Sequence, residues 1–242
     1  MSAEVEIRHG DALVLLRDVE SESVDLVLTD PPYSSGGMFR GDRAGQSTNA
    51  KYVQTGTLAR RGDFDGDSRD QRGYLAWASL WLPECWRATK EGGSALVFTD
   101  WRQLPTTTDA MQAGGYVWRG LVVWDKTNAA RPRPGFSSQA EYIVWGTRGS
   151  FGREVYLPGV IIASAPRGDY RRHMTEKPIG LLEQLIAICP SGGLVLDPFI
   201  GSGSTLDAAR NRGRRALGFE INDEHVETAG QRLAQGSMGA AA

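Results

Sequence analysis

The chain has 242 residues, 40% hydrophobic and 23% charged, which suits one α/β domain with room for a small insertion. No apolar run approaches bilayer-spanning length, and Met1 to Gly10 carry charge and lack an apolar core of signal-peptide length, so a cytoplasmic protein with no membrane partner is expected. With 27 basic against 29 acidic side chains the formal charge is −2, so any contact with nucleic acid must be local.

Strand-like segments alternate with segments apolar at helical spacing, which predicts an α/β fold, a doubly wound and mostly parallel sheet covered by helices. Val5 to Arg8 and Val24 to Thr29 read as short buried strands, the second running into Asp30-Pro31-Pro32-Tyr33. Ser34 to Arg72 is rich in Gly, Arg, Asp, Ser and Thr and long for a passive connection; it reads as a mobile active-site loop or as a disordered insertion. Tyr74, Trp77, Trp81 and Cys85 share a helical face, with Pro83 expected to kink or restart that helix. Ser94 to Thr99, Gly120 to Trp124 and Glu141 to Gly146 are further strands. Between the last two, Lys126 to Ser138 holds Lys126, Arg131 and Arg133, two prolines and no acid. The region 126–140 suits phosphate contact, with plain solvation as the alternative. Trp101, Trp118 and Trp145 are read as core, with base-stacking as the alternative. Ile179 to Ile188 forms a helix after Pro178, and Leu194 to Asp197 and Ala216 to Glu220 complete the strands. Asn222 or Asp223 caps a last helix reaching about Leu233, and 236–242 is expected to be a disordered tail to a single domain spanning 1–235. Cys85 and Cys189 read as buried free thiols. With His9, His173 and His225 far apart and no CxxC pair, no metal site is expected.

Two constellations carry chemistry. In Leu194-Val-Leu-Asp-Pro-Phe-Ile-Gly-Ser-Gly-Ser-Thr205 a strand ends in Asp197, turns through Gly201 and Gly203 and enters a helix. Such glycines let a ligand approach the backbone, and the helix start offers free N–H groups. Glu220, at the end of the next strand, is placed to accept hydrogen bonds from two ribose hydroxyls. Leu206 stands where a dinucleotide fingerprint wants Gly or Ala, and Asp197 repels a pyrophosphate but pairs with an ammonium. The charge logic favours S-adenosylmethionine over NAD. The second constellation, Asp30-Pro31-Pro32-Tyr33, lies at a strand's carboxyl end. Asp30 and the Pro31 carbonyl can accept both N–H bonds of an exocyclic amine while Tyr33 stacks on its ring.

At these residues the chain resembles the DNA amino-methyltransferases, and the order of its two elements is similar to their permuted β group. Gly10-Asp11, Trp124-Asp125-Lys126, Glu141-Tyr142-Ile143 and Thr175-Glu176-Lys177-Pro178 extend the resemblance from Asp11 to about Leu233. It implies a seven-stranded sheet with the last strand antiparallel and the strand ending at Glu220 beside the one ending at Asp11. It implies that Asp30, Pro31, Pro32 and Tyr33 hold the target base, and that Asp197, Phe199, Gly201, Gly203, Thr205 and Glu220 hold S-adenosylmethionine. Asp11 then serves the cofactor's adenine or merely caps the helix after it; Lys177 serves the cofactor's carboxylate or is merely solvated. DNA, double- or single-stranded, is the implied partner, contacted by Lys126, Arg131, Arg133, Arg171 and Arg172. A homodimer is compatible with the β group. Asp at the first position of the four favours adenine. Cytosine N4, an RNA or protein substrate, and a non-catalytic subunit are the alternatives.

Overall fold

The structure, a computed structural model, describes residues 4–32, 69–127, 136–164 and 177–239. Among them eight strands form one sheet: β1 (Val5–His9), β2 (Val24–Thr29), β3 (Thr89–Thr99), β4 (Val117–Asp125), β5 (Ala140–Thr147), β6 (Val160–Ile162), β7 (Leu194–Asp197) and β8 (Arg215–Glu220). Their spatial order is β1-β8-β7-β2-β3-β5-β4-β6. β5 is antiparallel to both β3 and β4, and the other pairings are parallel. The fold class is as expected, with one strand more than seven. β6 adds to the outer side of β4 and buries only Ile161, so three residues offer no period to detect.

Among the described residues six α-helices cover the sheet: α1 (Ala12–Leu15), α2 (Gln71–Ala88), α3 (Leu104–Ala113), α4 (Ile179–Ile186), α5 (Ser204–Asn211) and α6 (Asp223–Gly239). Because successive strand residues face opposite sides, Val27, Ala95 and Val97 pack under α1–α3 with Trp81, Leu82 and Met111. Leu26, Leu28, Leu96 and Phe98 pack under α4–α6 with Leu181, Leu185 and Leu206. Burial on both faces explains why the central strands read as unbroken apolar runs. Leaving β7 the chain moves to β8 on one side; leaving β2 it moves to β3 on the other. The switch point of the sheet therefore lies between the ends of β7 and β2, where open α/β sheets place their ligands. The permuted closure is present too. His9 pairs with Glu220, and the Gly10 N–H donates to the Glu220 carbonyl at 2.8 Å.

Several local expectations give way to tertiary context. α2 passes through Pro83 without restarting. A helix-interior proline costs about 3 kcal/mol, but Trp81, Leu82 and Cys85 around it are buried to within 1%, and a single large core side chain contributes as much. β3 begins five residues before Ser94, because the Gly92-Gly93 pair joins the ladder through a register shift instead of ending it; Gly92 has φ +73°. In α3, unforeseen because of its threonine run, Thr107 and Thr108 donate to the carbonyls of Gln103 and Pro105 at 2.9 and 2.7 Å, so the hydroxyls are satisfied within the helix. α6 continues to Gly239, past Leu233 and into the segment expected as a tail; residues 240–242 lie outside the described residues. Asn222 is its cap, accepting from the N–H groups of Glu224 and His225 at 2.9 and 3.2 Å. Trp101 and Trp118 are 48% and 44% exposed and are not core; Trp145 is half-buried, edge-on to Phe151 at 5.4 Å. Cys85 and Cys189 are free and buried, and burial pushes the Cys189 thiol up to about 11. Among the described residues no helix is long and apolar enough to cross a membrane.

Candidate active site

The turn after β7 is built for close approach. Gly201 and Gly203 have φ +50° and +81°, a region that favours glycine. A Cβ on Gly203 would stand 2.9 Å from that of Ala229, so the turn lies directly against α6; a Cβ on Gly201 would meet nothing within 4 Å. One glycine is required by packing, the other faces open space. Glu220, at the tip of β8, accepts from the Gly201 N–H through Oε2 and from the Asn222 N–H through Oε1, both at 2.9 Å. The His225 Nδ1 lies 3.8 Å from Oε1. Burial works to raise the Glu220 carboxyl, but His225 and the two N–H groups outweigh it and hold it below the usual range. A carboxylate fixed in this way, beside an open glycine, suits the two hydroxyls of a ribose.

Asp197 closes β7 and is only 2% exposed. Its Oδ1 accepts from the Thr29 hydroxyl at 2.7 Å and the Phe199 N–H at 3.0 Å, and the Thr205 hydroxyl adds a third bond. Burial outweighs these bonds and pushes the carboxyl up to about 6. A buried carboxylate in that position is stabilised by any cation brought against it. Phe199, next but one, packs on Trp77 and Trp81 at 5.1 and 5.2 Å between ring centroids. Asp11 caps α1, its Oδ1 accepting from the Leu13 N–H at 2.9 Å. It also follows Gly10, whose N–H bonds the Glu220 carbonyl, so the cap lies beside the tip of β8.

The second half is joined to the first by Thr29, which bonds Asp197 and is followed by Asp30, Pro31 and Pro32. Pro31 is buried and Pro32 half-buried. Lys177, the residue before Pro178, directs its ammonium to Asp30 Oδ2 and stands 3.5 Å from Glu141 Oε2. It is buried rather than solvated, 7% exposed, above the Phe98 ring at 5.1 Å. Burial favours the neutral amine, but Asp30 and Glu141 outweigh it and hold the group above its ordinary value. Lys126, expected to be solvated or on phosphate, pairs with Glu141 Oε1 at 2.6 Å.

The structure therefore brings Asp11, Asp30, Pro31, Pro32, Lys177, Asp197, Phe199, Gly201, Gly203, Thr205 and Glu220 to one edge of the sheet. Tyr33, Arg131, Arg133, Arg171, Arg172, and nearly all of the 34–72 loop lie outside the described residues. Sequence reading missed Thr29 and the part played by Glu141; the only local signal for the latter was a charged residue opening an otherwise apolar strand. Trp101 was misplaced. It projects from the turn after β3, beside the Asp30 strand, with the Arg102 guanidinium over its ring at 4.7 Å. Among the described residues no group of His, Cys, Asp and Glu could hold a metal ion.

A family model described as DNA methylase matches residues 24–156 and 160–231. Among curated relatives, the Type II methyltransferase M.ScaI of Streptomyces caespitosus is 24% identical over 275 residues, covering 96% of this chain and 82% of its own. Among solved structures, the complex of M1.HpyAVI with SAM superposes with a TM-score of 0.65 at 25% identity, covering 95% of this chain and 98% of that one. The cytosine-N4-specific PvuII DNA methyltransferase, 18% identical, shares the fold with a TM-score of 0.71 over 96% of this chain and 87% of that one.

Proposed function

The chain belongs to the DNA methylase family, and from that premise we propose that it methylates the N6 amino group of an adenine turned out of DNA, with S-adenosylmethionine as the methyl donor. It is a DNA amino-methyltransferase of the restriction–modification type, as its similarity to Type II methyltransferases indicates. The observation that carries methyl transfer to an amine is the junction at the switch point. One hydroxyl, that of Thr29, ties the buried carboxylate of the glycine turn to the strand that delivers Asp30.

Bound S-adenosylmethionine supplies a methyl group on a positively charged sulfur, which a weakly basic amine can attack. Glu220 suits its ribose hydroxyls, Gly201 and Gly203 let it approach the backbone, and Asp197 suits its cationic amino-acid end; Asp11, Phe199 and Thr205 border that space. An aryl amine is a poor nucleophile because its lone pair is delocalised into the ring. Asp30 and the Pro31 carbonyl, accepting its two N–H bonds, favour a localised lone pair and stabilise the positive charge that grows on nitrogen as the N–C bond forms and the C–S bond breaks, a charge relieved when the nitrogen then releases one of its protons. Holding both partners in near-attack geometry supplies much of the rate. Tyr33, next in sequence, is the ring on which the base stacks. Turning the base out costs a few kcal/mol, which phosphate contacts from the basic segments around Arg131, Arg133, Arg171 and Arg172 help to recover. No thiol is needed, since the amine is itself the nucleophile.

Asp at the first of the four positions supports adenine. The PvuII enzyme, with the same fold, is cytosine-N4-specific, so cytosine N4 is the second reading. Labelled methyl incorporation into duplex DNA, single-stranded DNA and RNA, followed by mass spectrometry of the nucleosides, tests both. N6-methyladenine in DNA is expected; N4-methylcytosine alone overturns the choice of base. Asp30→Ala should abolish transfer while calorimetry finds the cofactor affinity within about twofold. A variant that still methylates DNA would remove Asp30 from its role.

A further inference from the structure

Beyond the residues assigned above, four charged groups form an unbroken chain along the carboxyl edge: Asp30, Lys177, Glu141 and Lys126. Lys177 bridges Asp30 and Glu141, and Lys126 pairs with the other oxygen of Glu141 at 2.6 Å. The Glu141 side chain is 16% exposed. Burial works to raise its carboxyl, but Lys177 and Lys126 outweigh it and keep it charged, below the usual range. Asp197 is near enough for the Asp30 charge to act on it, and the Lys177 ammonium lies over the Phe98 ring. Glu141 reaches this edge only because β5 runs opposite to the rest of the sheet: its first residues, not its last, meet the ends of β3 and β4, with Glu141 opposite Trp124.

A carboxylate that must oppose positive charge on an attacking nitrogen is electrostatically useless if a neighbouring ammonium cancels it. Asp30 and Lys177 alone sum to zero. Glu141 and Lys126 sum to zero as well, so the four groups carry no net charge, and what decides the field at Asp30 is how the Lys177 ammonium is shared. Glu141 takes a share of that ammonium, so Lys177 is held between two carboxylates and fixes the orientation of Asp30 Oδ2 without being drawn wholly onto it.

We propose that Glu141 is a positioning residue of the transfer site, whose carboxylate anchors the Lys177 ammonium beside Asp30 and keeps it from being drawn wholly onto that carboxylate. This rests on the reading of Asp30 as the group that receives the target amine. The chain has four lysines, Lys51, Lys90, Lys126 and Lys177, so carbon-13 labelling of lysine gives a titration by NMR in which Lys177 is identified by loss of its signal in Lys177→Met. In Glu141→Gln the Lys177 ammonium should titrate lower by about one pH unit or more, because burial is then opposed by one carboxylate instead of two. The single-turnover methylation rate should fall about tenfold or more, with cofactor and DNA affinities within about twofold. Glu141→Asp should recover part of both. An unmoved Lys177 titration, or a rate within twofold of wild type, overturns the proposal. So does a parallel loss of rate, affinity and melting temperature in both variants, the signature of a merely structural role. A wild-type chain that transfers no methyl to nucleic acid would overturn the assignment of Asp30 and this proposal with it. That outcome is distinct from an active wild type with an equally active Glu141→Gln.

Discussion

Asp197 and Glu220 are both carboxylates at the tips of adjacent parallel strands, yet their surroundings push them in opposite directions. Asp197 is raised to about 6 because burial outweighs its hydrogen bonds, whereas Glu220 is lowered by His225 and two N–H groups despite its burial. The consequence for stability follows from proton linkage. In the unfolded chain Asp197 loses its proton near the ordinary value of 3.8, in the folded chain only near 6. Across that window the folded state binds more protons, so this group's contribution falls as pH rises, by roughly 3 kcal/mol in all. Asp197→Asn should therefore be more stable than wild type to urea at pH 8, the difference shrinking towards pH 4. The same variant should bind S-adenosylmethionine about tenfold or more weakly by calorimetry at pH 8, since a charged partner for the cofactor's ammonium is gone. Wild-type affinity should weaken as pH drops below about 6. A variant with unchanged affinity would place the cofactor's cationic end elsewhere.

At the scale of elements, the turn between β7 and α5 depends on a glycine for two separable reasons. Gly203 has φ +81°, and its missing Cβ leaves room for Ala229 of α6. Gly203→Ala should lower stability by about 1–3 kcal/mol in urea denaturation, and part of that loss should remain in the double variant Gly203→Ala, Ala229→Gly, which relieves the contact but not the backbone strain. α2 shows the opposite balance. Pro83, which alone argues for a break, is overridden by the packing of Trp81, Leu82 and Cys85. β5 matters for its direction more than for its residues, since an antiparallel strand presents its beginning where its neighbours present their ends.

For the whole molecule, the sheet order gathers the residues of the proposed site at one edge. The ends of β8, β7 and β2 and the beginning of β5 meet there, and both hydrophobic clusters lie behind it. The ribose site proposed at Glu220 is completed by folding, so S-adenosylmethionine should bind the native state alone and raise its unfolding free energy by about 2.7 kcal/mol at a hundredfold excess over Kd. Differential scanning fluorimetry should show that shift in wild type and in Asp30→Ala, and should show most of it lost in Glu220→Ala. An equal shift in Glu220→Ala would detach the ribose from that carboxylate.

The order of strands along the chain was legible without coordinates: β2 and β7 have the bounds that their apolar runs suggest, and the glycine turn and Asp30-Pro31-Pro32 announce themselves by residue types that only a few chemistries require. These are local signals, written in consecutive residues. The pairing of Thr29 with Asp197, the burial of Lys177 between Asp30 and Glu141, and the exposure of Trp101 were not legible, because each depends on which strands become neighbours and in which direction they run. Residues 147 or 168 positions apart meet only when the sheet closes. The sequence alone determined which groups could do chemistry; the tertiary structure decided which charges face one another, since electrostatic balance at a buried site is set by distance and direction in space and not by order along the chain.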